Sequence, residues 1–137
     1  MQEKLADEIV KLCPKLFGHL SYFEIEDGWF ELVKEMSSKI ELIISKLDLP
    51  EDELIYCVQL KQKYGGLRVY LTNHTPEIDQ IIKEAEQKAH QTCEYCGEPG
   101  VPHNANGWIT VLCKNCIDPD SQHEPVPDQI TELFLTR

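Results

Sequence analysis

Leu54-Ile55-Tyr56-Cys57-Val58-Gln59-Leu60-Lys61-Gln62-Lys63-Tyr64-Gly65-Gly66-Leu67-Arg68-Val69-Tyr70-Leu71 interrupts an otherwise helical pattern. Leu54, Tyr56, Val58 and Leu60 alternate with Ile55, Cys57, Gln59 and Lys61, and the alternation resumes from Leu67 to Leu71. A period of two is the pleat of a strand, and paired glycines between two such runs close a tight turn. The stretch therefore predicts a β-hairpin over about 54–72. Its alternation puts Lys61 and Lys63 on the face opposite Leu60, and Arg68 with Tyr70 on the face opposite Leu67, Val69 and Leu71.

On either side the period changes. Leu5, Ile9, Leu12 and Leu16 recur every three or four residues, predicting a helix over about 2–13 that Pro14 ends or kinks. Trp29, Val33, Met36, Ile40, Ile43 and Leu47 form a second stripe, read as one helix over about 28–48 laid on a core, with Asp27 as its N-cap and Leu49-Pro50 closing it. Thr75-Pro76 supplies an N-cap and a first-turn proline for a third helix over about 76–91, where Glu84 and Lys88 stand four apart. Helices plus a hairpin make the fold α+β.

The strongest chemical signal follows that helix. Cys93 and Cys96, then Cys113 and Cys116, form two C-x-x-C pairs with sixteen residues between them. Two intervening residues let both thiolates of a pair reach one ion from a tight turn, and four soft ligands suit tetrahedral Zn²⁺. Gly97 follows the first pair, where a residue without Cβ turns the chain most easily. Trp108-Ile109-Thr110-Val111-Leu112 reads as a strand leading into Cys113. The expectation is one structural zinc held by Cys93, Cys96, Cys113 and Cys116 in a zinc ribbon or treble-clef-like module over 93–137, joined to an α+β domain over 1–92. Pro119 restricts a helix after Cys116 and tilts the choice toward a ribbon. Beyond it, Ile130, Leu133, Phe134 and Leu135 read as a short docking element. His90 is expected exposed at a helix end and His103 on a loop surface.

Rival chemistry fits less well. Iron–sulfur ligation needs the same four thiolates, whereas a thioredoxin-like dithiol needs one pair at a strand-to-helix junction. Four cysteines close the coordination shell, while catalytic zinc keeps a position open. The deaminase signature is missing, because Thr92 rather than proline precedes Cys93 and Gln91-Thr92 follows His90. His103-Asn104 falls in a spacer too short for the catalytic hairpin of an HNH nuclease. No nucleophile–base pair stands out, so the protein is expected not to be an enzyme.

The chain of 137 residues carries 24 acidic and 13 basic side chains, a net charge of −11. That disfavours a general duplex-DNA binder or adhesion to anionic membranes. The distribution is uneven: residues 1–53 are net −7, whereas residues 54–75 hold no acid and three bases, Lys61, Lys63 and Arg68. With Tyr64 these form a small basic-aromatic face of the kind single-stranded nucleic acid stacks on; lysines on an exposed strand also simply guard its edge. Met1–Glu8 lacks the basic and apolar regions of a secretory signal, and no run approaches ~18 apolar residues. With thiol pairs of this kind, a cytoplasmic protein is expected.

Gly28-Trp29-Phe30, Tyr64-Gly65-Gly66-Leu67-Arg68-Val69-Tyr70, Cys93-Glu94-Tyr95-Cys96-Gly97 and Trp108-Ile109-Thr110-Val111-Leu112-Cys113 together resemble a family of small zinc-binding phage and prophage proteins. The likeness spans residues 28–116. It implies a phage or mobile-element context, hence the host cytoplasm, and carries over the four cysteines as ligands, but it implies no activity. The functional expectation is an acidic, non-enzymatic zinc-binding protein acting through protein-protein interaction, as a phage or mobile-element factor targeting a host component. The alternative is a nucleic-acid-binding zinc ribbon using Lys61, Lys63, Tyr64 and Arg68.

Overall fold

The computed structural model describes residues 1–105, 107–117 and 124–125. The docking element expected around Ile130–Leu135, and Pro119 with its effect on the module's ending, lie outside the described residues.

Helix α1 spans Glu3–Leu12, and α2 spans Pro14–Phe17. Pro14 breaks the two apart because it has no N–H to donate back along α1, yet its fixed φ suits the first turn of α2. The carboxylate of Glu41 accepts hydrogen bonds from the backbone N–H of Lys15 at 3.2 Å and of Leu16 at 2.8 Å, satisfying the open start of α2 from a neighbouring helix.

That neighbour is α3, Phe30–Lys46, preceded by a 3₁₀ turn at Asp27–Trp29. The helix is shorter than the expected 28–48, and Asp27 does not cap it. Instead its Oδ1 accepts from the backbone N–H of Gln2 at 2.7 Å, tying the turn to the start of α1. The buried stripe runs Trp29, Val33, Met36, Ile40 and Ile44. Ile44 replaces the expected Ile43 because a straight helix advances 3.6 residues per turn and drifts away from a 3.5 repeat. Leu47 lies past the helix end and is exposed.

Strands β1, Cys57–Lys63, and β2, Gly66–Leu71, form the antiparallel hairpin, with Leu60 opposite Val69, Lys61 opposite Arg68 and an irregularity between Cys57 and Gln59. Tyr64 and Gly65 make a two-residue turn with φ of 54° and 77°. Two left-handed residues match the twist of the flanking strands. Glu24 adds a short parallel bridge on the outer edge of β1, its N–H donating to Leu60 and its carbonyl accepting from Gln62. Leu60, Leu67 and Val69 face inward, where α2 meets β1 and α4, Pro76–Ala89, meets β2 and α3. The Thr75 hydroxyl caps α4 as expected, accepting from the N–H of Ile78 at 3.2 Å. Lys88 does not pair with Glu84; its ammonium reaches across to Glu35 of α3 at 3.4 Å.

Strands β3, Val101–Ala105, and β4, Trp108–Leu112, form a second antiparallel hairpin, and β5, Glu124–Pro125, pairs with the other edge of β3. The fold is therefore α+β, with two small hairpins and a C-terminal cluster of four cysteines. Val111 of β4 belongs to the main hydrophobic core with Trp29, Leu60 and Ala89. A smaller cluster gathers Cys93, Leu112 and Cys113.

Candidate metal centre

Two turns at the base of the β3–β4 hairpin bring the four cysteines together. The first is held by an antiparallel bridge between Thr92 and Pro99, by the Cys93 N–H donating to Glu98 at 2.7 Å, and by the Gly97 N–H donating to Cys93 at 3.0 Å. Gly97 takes φ of 84°, a left-handed conformation that disfavours any side chain there. The second turn follows β4 and is closed by the Cys116 N–H donating to Cys113 at 3.2 Å. The Sγ atoms of Cys93, Cys96, Cys113 and Cys116 all lie within 4.8 Å of one another, and those of Cys96 and Cys113 approach to 3.4 Å. Such a cluster can hold a metal ion.

Backbone amides support the sulfurs. The Glu98 amide hydrogen-bonds to Cys96, and those of Asn115 and Cys116 to Cys113. Amide donors favour the thiolate form that a metal requires. Burial resists ionisation of Cys113, but hydrogen bonds from Cys96, Cys116 and these amides bring its pKa down to about 7. The other two cysteines stand apart. Burial pushes Cys13 up to about 11 and Cys57 up to about 12, so both are inert thiols of the core.

Residues outside the two C-x-x-C pairs seat this cluster on the rest of the fold. Gly28 donates its N–H to the Glu94 carbonyl at 2.6 Å; a Cβ on Gly28 would lie 2.2 Å from the Cys93 carbonyl oxygen. The Trp29 indole donates to the Thr92 carbonyl. Between the first two cysteines, Glu94 is buried, its carboxylate accepting from Gln62 Nε2 at 3.2 Å and from the Glu26 N–H at 3.3 Å. Burial pushes this carboxyl up to about 7, against the pull of those hydrogen bonds. Gln62 Nε2 also donates to the Ile109 carbonyl at 2.7 Å. A polar Gln62 on the same strand face as Leu60 was the available signal, since an inward amide needs partners.

No family model matches the chain, and no curated protein or solved structure is significantly similar to it.

The histidines near the cluster are not where the sequence placed them. His90 and His103 are each only 7% exposed. His90 caps α4 and is packed into the interior there, and His103 lies on β3 rather than on a loop. On the first hairpin, Lys61, Lys63 and Tyr64 remain accessible, with Lys61 Nζ 5.8 Å from the Tyr70 ring centre and Lys63 Nζ 5.7 Å from that of Tyr64. Arg68 shares their face by register but is 7% exposed, so the basic face is narrower than expected.

A second surface emerges on the β3–β4 hairpin. Cross-strand pairs Ala105–Trp108, His103–Thr110 and Val101–Leu112 share one face, while Ile109 and Val111 turn the other way into the fold. Trp108 is 69% exposed, and Tyr95 of the first turn and Val101 are also exposed. Among the described residues no helix is long and apolar enough to cross a membrane.

Proposed function

We propose that this protein is a non-enzymatic, zinc-stapled binding protein that acts through contact with another protein, in keeping with a phage or mobile-element factor directed at a host component. The reading rests on one observation above the others. The largest side chain on the outer face of the β3–β4 hairpin, Trp108, is mostly exposed and lines one groove with the exposed Tyr95. Leaving a tryptophan in water is unfavourable, and tryptophan and tyrosine are the side chains that anchor protein interfaces.

The zinc assignment rests on the donor set. Zn–S bonds of about 2.3 Å in a tetrahedron place sulfurs roughly 3.8 Å apart, and the four Sγ atoms, separated by 3.4 Å at one pair and at most 4.8 Å overall, suit that spacing. Zinc bound there supplies a cross-link between the two turns, with all four positions filled by protein. Metal analysis of the purified chain should find about one zinc per molecule; iron with visible absorption would replace that assignment. For the partner, capture from a host lysate should recover a protein that Trp108→Ala loses while zinc content is unchanged. Equal recovery by both would remove the protein-contact reading.

A second reading keeps the other hairpin in view. Lys61 over Tyr70 and Lys63 over Tyr64 pair cations with aromatic faces, an arrangement suited to single-stranded nucleic acid. Salt-sensitive binding of short RNA or DNA that is lost in Lys61→Ala/Lys63→Ala would favour it.

A further inference from the structure

The outer face of the β3–β4 hairpin is shaped as well as exposed. Tyr95, His103, Trp108, Thr110 and Leu112, with Ala105 and Cys116, line a groove of about 370 Å³. Its floor is buried at His103, Thr110 and Leu112, while its two aromatic walls, Tyr95 and Trp108, stand 52% and 69% exposed. A groove of this size with apolar walls accepts one large side chain rather than a flat surface.

Charge indicates what carries that side chain. The chain is net −11. The backbone of Glu124 and Pro125 lies along the open edge of β3, beside His103 and Asn104, and the sequence from residue 118 to residue 137 has five acidic side chains and one basic one. The rings of Tyr95 and Trp108 present faces that attract cations, as Tyr70 and Tyr64 already do for Lys61 and Lys63 on the first hairpin. The net negative charge of the chain steers in a basic segment and repels an acidic one.

We infer that the groove between Tyr95 and Trp108 takes one aromatic or large aliphatic side chain from a basic peptide segment of a partner protein. This rests on the protein-contact reading above and adds the partner's chemistry to it.

The test uses the full zinc-loaded chain and its own fluorescence. Trp29 is fully buried, so Trp108 is the solvent-sensitive reporter. The probe is acetyl-Lys-Lys-Phe-Lys-Lys-amide, compared with the same peptide carrying Ala in place of Phe, with its Glu-flanked counterpart, and with oligothymidylate. The Phe peptide should shift Trp108 emission and bind about tenfold more tightly than either peptide control. Its binding should weaken at about 0.5 M NaCl and be lost in Tyr95→Ala at unchanged zinc content and melting temperature. The inference is overturned if the Glu-flanked or Ala peptide binds equally well, if oligothymidylate alone binds, if protein self-association alone produces the shift, or if no probe binds. If the peptide fails while lysate capture still depends on Trp108, the basic-segment inference falls and the protein-contact reading stands. If capture is independent of Trp108, that reading falls by itself.

Discussion

The indole N–H of Trp29 donates to the carbonyl oxygen of Thr92 at 2.9 Å, linking the most buried aromatic of the helical core to the residue before the first cysteine. Beside it the Gly28 N–H reaches the Glu94 carbonyl. The cysteine cluster is thus held against the turn that starts α3, and disturbance on either side is felt on the other.

Gly28→Ala tests this contact most directly. The added methyl meets backbone, the Cys93 carbonyl oxygen at 2.2 Å and the Glu94 carbonyl carbon at 2.5 Å, neither of which can swing aside. A loss of about 2–3 kcal/mol in urea unfolding is expected, as for overpacking in a filled core. Zinc should pass to a chromogenic chelator faster than from the parent chain.

Removing the metal should loosen residues 91–117 and also the tip of the first hairpin. Gln62 donates to Glu94 and to the Ile109 carbonyl, and a Cβ on Gly65 would sit 2.9 Å from Ile109 Cγ2. Hydrogen exchange after chelation should therefore accelerate at residues 62–66 as well as around the cysteines, while α3 stays protected. Unchanged exchange at 62–66 would mean the two hairpins are not coupled.

Thiol labelling should separate the six cysteines into two classes. With zinc bound, native protein should take up little iodoacetamide. Chelation should release Cys93, Cys96, Cys113 and Cys116 to the reagent, while Cys13 and Cys57, buried and held at about 11 and about 12, stay unmodified until the chain unfolds. Mass spectrometry of the labelled chain reads the count directly.

The turn of the first hairpin carries a cost. Tyr64 sits at φ of 54°, where a side chain is strained, and its half-exposed ring lies beneath Lys63. Tyr64→Asn should raise stability by about 0.5 kcal/mol, since asparagine tolerates this conformation better. A decrease would show that the Tyr64 ring contributes more to the fold than its exposure implies.

His90 should give the fold an acid-sensitive component. Burial lowers its pKa, against a smaller opposing pull from the Gly65 backbone, and its ring nitrogens lack well-formed hydrogen bonds among the described residues. The unfolded chain takes up a proton near pH 6.5 and the folded one resists it, so this contribution to stability is present above about pH 6.5 and is lost as the pH falls below it. Urea melts at about pH 7.5 and 5.5 should show a smaller acid loss in His90→Gln than in the parent; equal losses would place the acid sensitivity elsewhere.

Local chemistry made most of the elements legible. Alternation from Leu54 to Leu71 marked the first hairpin, Thr75-Pro76 the start of α4, Pro14 the break after α1, and two C-x-x-C pairs the metal cluster, because each is a constraint between near neighbours in the chain. Tertiary structure decided what those elements face. Lys88 chose Glu35 over Glu84 because α3 and α4 pack side by side. His90 and His103 went inside, and Arg68 with them, since burial depends on what distant segments cover. Gly28 and Glu94, 66 positions apart in the sequence, meet only once the helical core and the cysteine turns have docked. Leu54–Leu71 shows the same division: its alternation determined which side chains share a face, but contact with Ile109 and Glu94 determined that Gln62 and Gly65 hold the β3–β4 hairpin in place.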